Sequence, residues 1–351
     1  MATFYPTYAD YETVAQKNPK PFEKQPTALA PLDADGNPDI KQLNDGLSED
    51  YLRDKTNPRW VVKETIAYLW ARTVQCKNCR STVPLLKTRW LCKKEKKRVL
   101  LEMETCTDGS GAKTVQFSVN SNVPPRGGNA AQNREHDKRI SAGTMTRNGA
   151  KCPCCGAMMS MEDIRLEGKN NRLGNVMTAV AVSGQNGKEY RRPFPHEIEM
   201  AQKAEAELER VFAEIPFGLP DEPTPKVGSG ASRAFSIDGY GIDKWHKLFT
   251  PRQLLALGTF VKWTRKVGEV SSSENYPPIW QEAVKAYLAC GIDRLLDRNS
   301  MVCWWQTTYE QITSTFFSIC LTYYLGSWRS KSNFRMWREF CTSDRMGCQV
   351  S

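Results

Sequence analysis

The chain has 351 residues, 40% of them apolar, which is enough to bury a core and too many for a disordered polymer. Against 39 Asp and Glu stand 49 Lys and Arg, and the resulting charge of +10 favours a polyanionic partner such as nucleic acid. No stretch approaches the roughly 18 apolar residues of a membrane helix, and Met1-Ala2-Thr3-Phe4-Tyr5-Pro6 lacks the basic start and apolar run of a secretory signal, so the expected setting is cytoplasmic with no membrane partner.

Residues 1–62 are rich in Pro, Asp, Asn and Lys and predict an irregular arm with one short helix near 39–52. From Trp60 the pattern turns strand-like, with runs at 65–70, 83–90, 98–103 and 114–119 separated by turn residues. The Gly/Asn/Arg-rich stretch 120–149 breaks that pattern and predicts a long loop. A helix is predicted over 197–212, where Ile198, Ala201, Ala204, Leu208, Val211 and Phe212 fall at near-helical spacing, and 216–230 has linker composition. Thr250-Pro251-Arg252-Gln253 combines an N-cap, a proline at the first helical position and a capping-box glutamine, predicting a helix start. A further helix over 279–297 should turn Ala283, Ala286, Tyr287, Cys290, Ile292, Leu295 and Leu296 inward.

Two cysteine pairs carry the strongest chemical signal: Cys76-Lys77-Asn78-Cys79, and Cys152-Pro153-Cys154-Cys155-Gly156. A two-residue gap lets one tight turn aim both sulfurs at a point, so Cys76, Cys79, Cys152 and Cys155 together supply the four thiolates of a structural zinc. Cys154 can stand in for a neighbour, although Cys152 and Cys155 keep the two-residue gap. Such a site is closed and holds shape; it does not perform catalysis. Cys92, Cys106, Cys154, Cys290 and Cys303 read as small buried hydrophobes.

Between Lys77 and Arg98 lie nine basic residues and one acid, Glu95, with Trp90 interleaved. A hairpin bearing Lys87, Arg89, Lys93, Lys94, Lys96, Lys97 and Arg98 can lie along phosphates and gain affinity by releasing counterions, or be an ordinary solvated tip. Arg165-Leu166-Glu167-Gly168-Lys169-Asn170-Asn171-Arg172-Leu173-Gly174 reads as a phosphate-contacting or, more simply, a packing turn. The turns Asp108-Gly109-Ser110-Gly111 and Gly228-Ser229-Gly230 lack the flanking strand and helix of a nucleotide-binding loop. His136, His196 and His246 have no Cys or Ser partner at a recognisable spacing, so neither a catalytic nor a cofactor-binding residue is assigned.

Several motifs then converge. They are Ala67-Tyr68-Leu69-Trp70-Ala71-Arg72-Thr73-Val74 with Cys76; Pro84-Leu85-Leu86 with Trp90-Leu91; Gly143-Thr144-Met145; Cys152-Pro153 with Cys155-Gly156; Arg165-Leu166-Glu167-Gly168-Lys169; and Leu248-Phe249-Thr250-Pro251-Arg252-Gln253-Leu254. In order and spacing they resemble the large bacterial and archaeal adenine-specific DNA methylases that carry an N-terminal domain of unknown function, over residues 4–316. The resemblance implies a parent enzyme with a Rossmann-like S-adenosylmethionine domain that methylates the exocyclic amine of an extruded adenine. The family's cofactor glycine motif and its Asp-Pro-Pro-Tyr tetrapeptide do not occur in this sequence. After Phe316, where the family continues with Ala-Leu-Pro and Trp-Asp, codons can be chosen for Phe317 to Gly326 that restore such a reading one nucleotide later; a frameshifted tail over 317–351 is the expectation.

The expected architecture is therefore α+β: an arm (1–62), a zinc-ribbon β module with a long inserted loop (63–192), a helical module (193–316) and an atypical tail (317–351), without a complete Rossmann-like core. The expected role is a fragment of such a methylase, inactive by itself, with DNA and the remaining parts of a split methylase as partners. The alternatives are a stand-alone zinc-dependent DNA-binding or interaction module working with separately encoded catalytic parts, and a decayed product. S-adenosylmethionine belongs to the parent family only.

Overall fold

The computed structural model describes residues 2–315 except 16, 108, 110, 112, 126, 227–236 and 274–275. The predicted frameshifted tail and the turn at Gly228-Ser229-Gly230 lie outside the described residues. The described residues form two compact units: one within Met1–Ile164, Arg172–Met200 and Thr307–Glu310, the other within Arg165–Asn171, Ala201–Gln306 and 311–315. The fold is mixed α+β, with several small sheets, and every strand pairing among the described residues is antiparallel.

The N-terminal arm is more ordered than its composition predicts. Strand β1 (Tyr8–Thr13) pairs with β2 (Ala28–Leu29) and, from Tyr8↔Lys63 to Thr13↔Pro58, with β3 (Pro58–Lys63). The Tyr11 ring meets Trp60 edge-on at 5.4 Å, a cross-strand aromatic pair that fixes this register. Between β2 and β3 the expected single helix is two: α1 (Ile40–Leu43), capped by Asp39, and α2 (Glu49–Arg53), capped by Ser48. Buried Asn44 separates them, because its amide donates to the Trp60 carbonyl and accepts from the Trp60 N–H, drawing the chain away from the helix axis.

The predicted β module follows, with shifted boundaries. Strand β4 (Thr65–Gln75) turns at the first cysteine pair into β5 (Thr82–Pro84). The run expected at 83–90 is interrupted, and a new hairpin starts at Trp90: β6 (Trp90–Lys94) with β7 (Lys97–Thr107), extended by β8 (Lys113–Asn120). The 120–149 stretch is not one loop. It contains α3 (Ala130–Ile140) and β9 (Met145–Thr146). Helix α3 escapes an apolar-periodicity search because its one buried side chain is Asp137; a capping box between Asn129 and Gln132 starts it.

Strand β9 pairs with β10 (Gly149–Lys151), which turns at the second cysteine pair into β11 (Met158–Ser160) and then α4 (Met161–Lys169). Two further strands have no counterpart in the sequence prediction: β12 (Gly174–Gly184) and β13 (Gly187–Arg191), joined by the two residues Gln185-Asn186. Strand β12 lies between β13 and β4, and Met177 through Val182 are all buried, so it reads as a continuous apolar run and not an alternation. Arg191 of β13 holds the wholly buried Glu197 of α5 (Pro195–Lys203) through two nitrogens, at 2.6 and 2.8 Å.

The helix expected over 197–212 is α5, a 3-10 turn (Ala204–Glu207) and α6 (Leu208–Phe212), in place of one rod. The two long helices are α7 (Pro251–Ser273) and α8 (Pro278–Arg298), followed by a small hairpin of β14 (Trp305–Gln306) and β15 (Gln311–Ile312). The capping box at the start of α7 forms as read: the Thr250 N–H donates to Gln253 Oε1 at 2.8 Å, and the Gln253 N–H to Thr250 Oγ1 at 3.3 Å. The apolar face of α8 does not. Ala289, Ile292 and Leu296 are buried, while Tyr287 is 82% exposed and Ala283, Ala286 and Cys290 are exposed. Gly168 packs against the Tyr240 backbone so closely that a Cβ there would lie 2.4 Å from the Tyr240 carbonyl oxygen, which gives the 165–174 segment a packing role. Among the described residues no helix is long and apolar enough to cross a membrane.

Candidate metal centre

Each cysteine pair forms the tip of a two-stranded hairpin, and the two tips have the same backbone pattern. In the first, the Cys76 N–H donates to the Ser81 carbonyl and the Arg80 N–H to the Cys76 carbonyl, at 2.9 and 3.0 Å. In the second, the Cys152 N–H donates to the Ala157 carbonyl and the Gly156 N–H to the Cys152 carbonyl, both at 2.9 Å. The residue after each second cysteine is left-handed, Arg80 at φ 59° and Gly156 at φ 76°. Glycine meets that requirement without strain; arginine does so against its Cβ.

The two tips face each other. The Cys76 and Cys155 sulfurs are 3.6 Å apart, those of Cys79 and Cys152 3.7 Å apart, and all four lie within 4.8 Å of one another. Tetrahedral bonds of about 2.3 Å would set sulfurs roughly 3.8 Å apart, so the donor set fits a closed four-thiolate metal site. Cys154 is not one of this set, as the spacing argument expects. It is half-buried, and burial pushes its thiol up. Of the other cysteines read as buried hydrophobes, Cys92 is fully buried, Cys106 and Cys303 are half-buried, and Cys290 is exposed. The outlier follows from the misassigned inner face of α8.

Ser81 completes the surroundings. Its hydroxyl lies 3.0 Å from the Cys79 sulfur and 3.3 Å from that of Cys152, one from each tip. Hydrogen bonds from the Ser81 hydroxyl and N–H bring the Cys79 thiol down to about 6, whereas burial pushes Cys76 up to about 11. For Cys152 burial acts upward, but the Ser81 hydroxyl and the N–H groups of the turn outweigh it and the net direction is down. Ser81 was not singled out by sequence; a hydroxyl two residues past a Cys-x-x-Cys pair was the available signal. Lys77 forms an ion pair at 2.9 Å with Asp163, which also caps α4 by accepting from the Ser160 N–H, so the first tip is tied to the helix that follows the second.

The predicted phosphate-binding hairpin exists as β6–β7, but most of its cations already hold internal partners. Arg98 and Lys93 pair with Asp137 of α3, and Lys94 and Lys97 with Glu310, whose carboxylate is buried and also accepts from the Tyr190 hydroxyl at 2.9 Å. Arg89 donates to the carbonyls of Ile140 and Ala142 at the end of α3. Among the described residues, Lys87 and Lys96 are exposed and carry no ion pair. Burial acts upward on Glu310, but its lysine and tyrosine partners prevail and hold it at about 2. His136, His196 and His246 are dispersed: His196 approaches Glu199 at 4.0 Å, and His246 Nδ1 lies 2.9 Å from the Pro220 carbonyl. Compared with protein-family models, curated proteins and solved structures, the chain matches none of them.

Proposed function

We infer that this chain is a zinc-stabilised, DNA-contacting module, of the kind that the resemblance to adenine-specific DNA methylases implies, and that it does not transfer methyl groups alone. The observation that carries the reading is the convergence of Cys76, Cys79, Cys152 and Cys155 from two matching hairpin tips. Four thiolates suit zinc, which prefers tetrahedral sulfur ligands and forms structural sites with no open position. Paired knuckle hairpins around such an ion are what the term zinc ribbon describes. The metal joins two stretches whose sheets are otherwise separate in the strand order, β4–β5 and β9–β10–β11.

DNA as partner rests on the charge of +10 and on the methylase-like motifs. S-adenosylmethionine chemistry would come from other parts of a parent or split enzyme, since this sequence carries neither the glycine motif nor the Asp-Pro-Pro-Tyr tetrapeptide. The test combines metal analysis of the purified chain with methyl transfer to adenine in DNA, measured with and without the products of the flanking genes. One zinc per chain, with transfer only in their presence, supports the reading. Less than about half an equivalent of zinc would refute the site, which needs one ion per four thiolates. Transfer by this chain alone would refute its inactivity.

A further inference from the structure

Helix α3 is unusual in what holds it. A helix normally docks an apolar stripe, and one that is polar on all sides has no reason to stay folded unless other contacts secure it. Here the buried side chain is a carboxylate, Asp137, with Arg98 and Lys93 of the β6–β7 hairpin around it. Arg98 and Lys93 also lie over the Trp90 ring, at 4.8 and 5.9 Å. Arg89 secures the carbonyls at the C-terminal end of the helix, and the Asn129–Gln132 box secures its N–H groups. The hairpin's positive charge is thus spent inward.

The charge reappears on the other side of the helix. With Asp137 facing in, helical geometry turns Lys138 sideways and Arg139 outward, while Arg134, one turn before Asp137, lies at the flank of the docked face; all three are exposed. The Thr88↔Ala142 bridge sets exposed Lys87 beside the C-terminal end of the same helix. One acid, Glu135, shares that surface.

We propose that the outer side of α3, through Arg134, Lys138 and Arg139 together with Lys87, is the surface that contacts the phosphates of duplex DNA, and that the cations of the hairpin tip are its internal support. This inference rests on the DNA-binding reading above. The occupant follows from charge complementarity: these four cations hold no buried carboxylate, whereas Lys94, Lys97 and Arg98 would have to abandon Glu310 or Asp137 to meet a phosphate, leaving a buried charge unpaired. The helix, at 11 residues, is about 16 Å long and can follow roughly five base-pair steps of 3.4 Å.

The experiment uses the full chain and a fluorescently labelled duplex, with binding followed as a function of salt. Each phosphate contact contributes about 0.9 to the slope of log affinity against log salt, so the variant Arg134→Gln/Lys138→Gln/Arg139→Gln should flatten that slope by about 2.7 and weaken binding at least about tenfold at low salt. The pair Lys94→Gln/Lys97→Gln should lower thermal stability and leave the slope unchanged. A wild-type slope retained by the α3 variant, or a slope reduced only by the Lys94/Lys97 pair, would overturn the assignment. Failure of the wild-type chain to bind duplex DNA at about 50 mM salt would overturn the DNA reading itself. Circular dichroism confirms that the α3 variant is folded; should it unfold, Arg139→Gln and Lys138→Gln taken singly must each flatten the slope by about 0.9, and unchanged slopes overturn the inference.

Discussion

Glu310 is the residue whose removal should be felt most. Its nearly inaccessible carboxylate receives Lys94, Lys97 and the Tyr190 hydroxyl, its carbonyl receives Lys188, and its own backbone is left-handed at φ 52°. A carboxylate held at about 2, below its ordinary 4.5, contributes stability that is complete above the higher value and lost as pH falls through the lower one. The wild-type melting temperature should therefore fall between about pH 4.5 and about pH 2, and the Glu310→Gln protein, less stable at neutral pH, should show a shallower fall in that window; thermal melts across pH measure both. Ser81→Ala removes the hydroxyl shared by Cys79 and Cys152 and should lower metal affinity about 10- to 100-fold with the stoichiometry intact, read by competition with a chromogenic chelator. Sequence revealed the four sulfurs because their spacing is local to each turn. It did not reveal Glu310, 213 positions from Lys97, since a buried ion pair leaves no periodic trace.

Among the elements, the cysteine hairpins depend on backbone shape as much as on ligands. Gly149, which opens β10, has φ 142°, and a Cβ there would lie 1.9 Å from the Met159 carbonyl oxygen across the hairpin. Gly149→Ala should therefore part β10 from β11 and cost metal retention as well as stability, whereas Gly187→Ala, which meets no atom, should cost only about 1 kcal/mol for its left-handed backbone; metal content and urea titrations distinguish the two. The Thr250–Gln253 box of α7 was legible because the apolar run Leu254-Leu255-Ala256-Leu257 follows it, whereas no such run follows the Asn129–Gln132 box of α3. Elements defined by partners were not legible: β1 needs β3, α3 needs Arg98, and β12, buried on both sides, lacks the alternation that betrays a half-exposed strand. Tyr287 and Cys290 show the opposite error, an apolar spacing on α8 that solvent occupies.

For the molecule as a whole, the two-unit organisation predicts a local response to chelation. The sulfur ligands all belong to the unit containing β4, β5, β10 and β11, while α7 and α8 belong to the other. Hydrogen exchange on the intact chain should show protection lost in 65–84 and 149–160 after chelation and kept in α7 and α8; equal loss in both would contradict a metal confined to one unit's architecture. The division also differs from a simple succession of modules, since the arm joins the first unit and the 307–310 segment returns to it, drawn by the Glu310 contacts that no linear reading anticipates. The facing hairpin tips carry one more implication. Cys79 and Cys152 are 73 positions apart, and the exposed stretch 121–125 lies between them. With an ion in place the chain is a ring closed through sulfur, so a protease that severs the backbone once at that stretch yields two polypeptides that the ion and the β4–β12 pairing together hold as one particle, and a chelator, not a reductant, lowers the denaturant concentration needed to part them.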